Sequence, residues 1–127
     1  MKRSAGIILA VLALGGCATP VDEMRELPVA GTSSLPGGAG NAAYCVARQL
    51  NAWPGNTALP SATNEVQLTD NGAYVYGTSG GNSMWLIDAV NSGGNAALTY
   101  RLSNLVTARD MAARLIEGGI ANCRIGG

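Results

Sequence analysis

The stretch EVQLTDNGAYVYG, residues 65–77, decides how this chain folds. Val66 and Leu68 alternate with Glu65, Gln67 and Thr69, the period of a strand with one buried face. Asp70-Asn71-Gly72-Ala73 follows. Asn-Gly between alternating segments suits a type I′ hairpin, because both central residues of that turn need positive φ. Such a turn pairs Asp70 with Ala73, Leu68 with Val75 and Gln67 with Tyr76. Ala73 to Gly77 is then a second strand. Its Tyr74 and Tyr76 share a face with Glu65, Gln67 and Thr69.

Downstream, Met84 to Val90 (MWLIDAV) is apolar on both faces, as a central strand would be, and Ala96 to Leu102 (AALTYRL) forms a fourth strand. The links TSGGNS (78–83) and NSGGN (91–95) are short and glycine-rich. Parallel crossovers need about a dozen residues or more, so these links imply an antiparallel meander. One register gives consistent faces. Val66, Leu68, Val75, Met84, Leu86, Val90, Leu98, Tyr100 and Leu102 face inward. Tyr74, Tyr76, Trp85, Ile87, Thr99 and Arg101 face away. Asp88 falls on the inner side in this register. Either it sits at the rim with a partner or the third strand is flipped, since a slip of one residue exchanges every side chain between faces.

Two helices flank the strands. Asn41 is a candidate N-cap for a helix running to about Trp53, with Ala42, Cys45, Val46, Gln49, Leu50 and Trp53 on one side. Pro54-Gly55 stops it, and residues 54–63 form a loop. Thr107, with Asp110 three residues later, opens the second helix, and Val106 and Met111 are spaced as a hydrophobic staple. Its buried stripe is Ala108, Met111, Ala112, Leu115 and Ile116. Gly118-Gly119 ends it, and the tail IANCRIGG carries Cys123 back to the first helix. The expected class is α+β. Its order is α-β-β-β-β-α, a four-stranded antiparallel meander with two helices side by side on one face.

Upstream the chain reads differently. Lys2 and Arg3 precede an uncharged apolar run, Gly6 to Leu14, and Leu14-Gly15-Gly16-Cys17 follows. A basic n-region, a short apolar segment and small residues before a cut make a secretory signal peptide. The run is too short to span a bilayer, which takes about 20 apolar residues. The four residues ending in Cys17 resemble the lipobox of bacterial lipoproteins. That resemblance implies attachment of a diacylglyceryl group to the Cys17 thiol, cleavage before Cys17 and usually a further fatty acyl chain such as palmitate on its freed amine. Two or more chains anchor stably where one does not. Ala18, rather than aspartate, implies sorting to the outer membrane. Residues 1–16 are then the signal peptide. Residues 17–40 are the lipidated cysteine and a flexible tether, interrupted by Pro20, Pro28 and Pro36 and ending in a Gly/Ser-rich segment. Residues 41–127 are one α+β domain. This layout resembles that of small, uncharacterised proteobacterial lipoproteins.

Composition narrows the function. The chain has eight basic and eight acidic side chains, and removing Lys2 and Arg3 leaves six against eight. No basic patch recommends nucleic acid as a partner. There is no histidine, so Ser-His and Cys-His catalysis and the commonest metal ligand are missing. Glu65, Asp70, Asp88 and Glu117 are scattered along the sequence. We expect no enzyme activity, no metal and no cofactor. Cys45 and Cys123 in an exported chain read as one disulfide, since their spacing is unlike C-x-x-C and no histidine completes a zinc site.

The expected role is therefore a periplasmic accessory module on the outer membrane. It would bind an envelope protein or polymer through an aromatic sheet face made of Tyr74, Tyr76, Trp85, Ile87 and Arg101. The same face could instead be covered by the tether, by the 54–63 loop or by a second copy. The alternative is a carrier of a small ligand or lipid, which requires an apolar cavity between helices and sheet.

Overall fold

A computed structural model describes residues 20–126; the leader and Cys17 lie outside the described residues. The elements in order are helix α1 (Val21–Met24), strand β1 (Gly31–Pro36), helix α2 (Ala39–Asn51), strands β2 (Thr63–Thr69), β3 (Gly72–Ser79), β4 (Asn82–Ser92) and β5 (Asn95–Leu102), and helix α3 (Arg109–Gly126). The strands form one antiparallel sheet in the order β1-β5-β4-β3-β2. The α+β class and the meander from β2 to β5 are as expected. The sheet, however, has five strands rather than four, and the helices number three among the described residues.

Strand β1 comes from the stretch read as tether. Ser and Gly dominate GTSSLP, and its strand state is imposed by tertiary pairing with β5 rather than by propensity. Leu35 is buried in the core, and Pro36 ends an edge strand, where proline is tolerated. Arg124 of α3 clamps it, donating from Nη2 to the Ser34 carbonyl at 2.8 Å and to Ser33 Oγ at 3.0 Å. Gly31 lies opposite Tyr100. A Cβ there would fall 2.5 Å from the ring's Cζ and hydroxyl. Tyr100 cannot swing away, because its hydroxyl donates to the Glu117 carboxylate of α3. Gly31→Ala is therefore expected to cost about 1–3 kcal/mol, the usual range for overpacking. An unchanged denaturant midpoint would mean that β1 shifts freely on β5.

The hairpin physics holds, but at other turns. Gly80-Gly81 and Gly93-Gly94 have φ of 58° and 84°, and of 58° and 87°. They join Ser79 to Asn82 and Ser92 to Asn95 as two-residue loops with positive φ at both positions, the type I′ requirement. The first hairpin instead turns on Asp70-Asn71, and neither residue has positive φ. Its register is Thr69 to Gly72, Leu68 to Ala73 and Gln67 to Tyr74, so the partners move but the faces do not. Gly72 serves close approach: a Cβ there would sit 2.0 Å from the Ala89 carbonyl oxygen of β4.

Strand β4 is flipped from the preferred register. Ala73, Val75 and Gly77 pair with Ala89, Ile87 and Trp85, which puts Trp85 and Ile87 on the helix side. Both are buried, at 0% and 1% exposure, as is the inward-facing Tyr100. Leu86, Asp88 and Val90 face the other way. The pairing skips Met84 where the register shifts at Gly77/Thr78, so Met84 also reaches the core.

Helices α2 and α3 pack against each other; α2 lies on β2, β3 and β4, and α3 meets β1. The core between the layers holds Ala42, Val46, Leu50, Trp85, Ile87, Leu98, Tyr100, Ala112, Ile116 and Ile120. Helix α2 starts before Asn41. Gly38 is its N-cap and has no side chain to offer, and Asn91 Oδ1 from β4 accepts the Ala39 N–H at 2.8 Å instead. Helix α3 runs through Gly118-Gly119, contrary to expectation. Each glycine costs about 1 kcal/mol relative to alanine. Continuation is favoured because Ala112, Ile116, Ile120 and Cys123 recur on one buried stripe, and burying Ile120 alone is worth about 1.5–3 kcal/mol. Gly119 also lets the helices approach, since a Cβ there would lie 3.2 Å from Gln49 Cβ. The expected disulfide is present. It joins Cys45 of α2 to Cys123 within α3, across 78 positions and a Cα–Cα distance of 6.0 Å.

Candidate functional site

The outward face of the sheet is built by Tyr74 and Tyr76 from β3, Leu86 and Asp88 from β4, and Thr99 and Arg101 from β5. Three of the five residues expected on an aromatic binding face are here: Tyr74, Tyr76 and Arg101. Trp85 and Ile87 are not. They belong to the core on the opposite side, because the β4 register is set by pairing and by the skipped Met84.

This face is covered by the chain itself. Residues 20–30 cross it as a strap. Met24 and Leu86 are both fully buried, yet neither belongs to the main core; they lie on the far side of the sheet from it. Burying a methionine side chain is worth roughly 1.5–3 kcal/mol. Arg25 then forks onto Asp88, with Nη2 donating to Oδ1 at 2.7 Å and Nε to Oδ1 and Oδ2 at 3.1 and 3.2 Å. The Asp88 hydrogen bond, against the opposing effect of burial, raises the pKa of the Arg25 guanidinium further above its ordinary value. Arg25 also lies over the Tyr74 ring at 5.1 Å, within cation–π range. Arg101 closes the cluster, reaching Asp88 Oδ2 at 3.4 Å and donating to the Leu27 carbonyl at 3.1 Å. Tyr76 OH and Ser83 Oγ are 2.6 Å apart.

Asp88 is thus the centre of the face, held between Arg25 of the strap and Arg101 of the neighbouring strand β5. Its awkward place in the sequence register leaves two readings, a partner at the rim or a flipped strand; the strand is flipped and the carboxylate has partners, though the sequence reading names neither arginine. The signal was present: a carboxylate inside an apolar strand requires a cation. DEMREL supplies one in Arg25, with Met24 and Leu27 spaced three apart beside it.

On the inner side, Tyr100 is the group with a marked pKa change. Burial is the main cause, followed by its hydrogen bond to Glu117 and that carboxylate's charge, and together they push the phenol well above its ordinary value of 10.0. In the unfolded chain the phenol ionises first. Unfolding free energy is therefore expected to fall as pH rises past about 10, because the folded state then holds the extra proton. Denaturation across pH 9 to 11.5 would show the slope, and Tyr100→Phe should flatten it. A Tyr100→Phe variant with the parent slope would assign the effect elsewhere.

Two grooves accompany the strapped face. One, about 170 Å³, lies at the sheet end between Leu59, Met84, Leu105 and Val106. The other, about 220 Å³, lies between α2 and α3 and is lined by Gln49, Arg114, Gly118, Gly119 and Asn122. Among the described residues, no group of three or more His, Cys, Asp or Glu side chains is placed to hold a metal ion. No helix among them is long and apolar enough to cross a membrane. No protein-family model matches the sequence, and no curated protein matches it either.

Proposed function

We propose that this chain is a lipoprotein anchored to the outer membrane through Cys17, and that its domain is a non-catalytic interaction or accessory module in the periplasm. The observation that carries the reading is Leu14-Gly15-Gly16-Cys17 behind a basic n-region and an apolar run. A disulfide between Cys45 and Cys123 is what an oxidising compartment permits. Between the alternatives, the filled space behind the sheet favours an interaction module over a lipid carrier. Trp85, Ile87, Leu98, Tyr100 and Ile116 occupy the volume where a ligand would have to sit. The aromatic face is strapped, so a partner would meet other surfaces first, the helical layer and the two grooves among them.

Intact mass of protein extracted from bacterial membranes tests the anchor. The expected species begins at Cys17 and carries acyl chains, and Cys17→Ser moves the protein into the soluble fraction. A soluble wild-type chain cut elsewhere would overturn the reading.

A further inference from the structure

The strap fixes where the anchor attaches. Pro20 leads directly into α1, and α1 lies on the outward face of the sheet, with Met24 buried there and Arg25 bound to Asp88. Only Ala18 and Thr19 stand between Cys17 and Pro20. Three Cα steps of about 3.3–3.6 Å span at most about 11 Å. A helix is about 10–12 Å thick with its side chains, and α2 and α3 lie on the other side of the sheet from the strap. The far surface of the helical layer is therefore beyond the reach of the leash while the strap is in place.

We infer that the outward sheet face is turned toward the phospholipid surface and that the helical layer points away from it. This rests on the proposed acylation of Cys17. The stretch read as a 24-residue flexible tether, residues 17–40, becomes a short leash, because the chain is tied down from Val21 onward. The charges on the strap indicate how close the face comes. Asp22, Glu23 and Glu26 are exposed, Asp22 at 97% of its side chain. Carboxylates are repelled by anionic headgroups. The face is held near the bilayer without inserting, and the surfaces offered to a partner are α2, α3 and the groove between them.

The test uses full-length protein extracted from membranes, with its mass checked for acylation before use. It is reconstituted into vesicles of phosphatidylethanolamine and phosphatidylglycerol containing a lipid with a nitroxide headgroup. A fluorophore is placed at Gln67→Cys, exposed on the outward face, or at Arg48→Cys, exposed on α2. Quenching is expected to be several-fold stronger at 67 than at 48. A Gly/Ser spacer of about 20 residues inserted between Ala18 and Thr19 should erase the difference without touching the folded part. An acylated chain quenched equally at both positions, or more at 48, overturns the orientation alone. A difference that survives the spacer overturns the leash as its cause. A chain without acyl groups at Cys17 overturns the orientation and the anchor together.

Discussion

Trp85→Ala lowers the unfolding free energy by about 3–5 kcal/mol, the range for removing a large buried aromatic side chain. Trp85 is fully buried on the helix side of β4, and Gly77 beneath it leaves room for the ring: a Cβ there would lie 2.2 Å from its Nε1. Nε1 donates to Asn64 Oδ1 at 2.6 Å. Asn64 in turn donates from Nδ2 and from its backbone N to Asn51 Oδ1 at 3.1 and 2.8 Å, and its carbonyl accepts from Asn51 Nδ2 at 3.2 Å. One ring therefore links the central strand, the edge strand β2 and the end of α2. Its loss leaves both a void and a buried carbonyl oxygen without its donor, and the second accounts for roughly 1–3 kcal/mol of that loss. Trp85→Phe separates the two, since it keeps most of the apolar volume and removes the N–H. Against a total of roughly 5–15 kcal/mol for a domain, the alanine variant should sit near the edge of folding. Urea denaturation followed by far-UV circular dichroism measures it. A loss under about 1 kcal/mol would mean that the core collapses around the gap.

Removing the Cys45–Cys123 bridge has an effect of the same order. The bond closes a loop of 78 positions, and the chain-entropy relation assigns such a loop about 4 kcal/mol of stabilisation, acting on the unfolded chain. Its position adds to the argument. It ties α2 to the last turns of α3, beyond the two glycines that weaken that helix, so the reduced protein should also lose order at residues 118–126. Comparing reduced, alkylated protein with the oxidised form gives the stability change. Hydrogen exchange along α3 gives the local one. Equal midpoints for the two forms would show that the native packing of α2 on α3 holds the chain ends without help.

The parts legible in the sequence were those with local signals. Alternation in β2 and β3, glycine pairs between strands and the amphipathic stripes of both long helices all depend on neighbours within a few positions. The misread parts were decided at long range. GTSSLP has no strand propensity to show, and it becomes β1 because β5 offers a free edge and Tyr100 leaves space only for a glycine. MWLIDAV is apolar on both faces, so alternation could not choose its phase; pairing across Gly77 and the need of Asp88 for Arg25 and Arg101 chose it. Gly118-Gly119 reads as a stop signal, but the buried stripe resumes beyond it at Ile120 and Cys123. Of the residues expected on the outward face, Tyr74, Tyr76 and Arg101 lie there, on strands whose alternation gives a clear phase. Trp85 and Ile87 went wrong together, because a single phase error moves a whole strand.

The strand order has a consequence for biogenesis. A chain is made from its N-terminus, so β1 and the strap appear before any other part of the sheet. Their partners are β5, the last strand, and Asp88 of β4. The hairpins from β2 to β5 can form as they emerge, since each joins neighbours in sequence. The N-terminal segment has nothing to pair with until they have done so. Sheet assembly therefore has a defined order: β2 to β5 pair first, and the strap and β1 close over them only once the final strand has arrived.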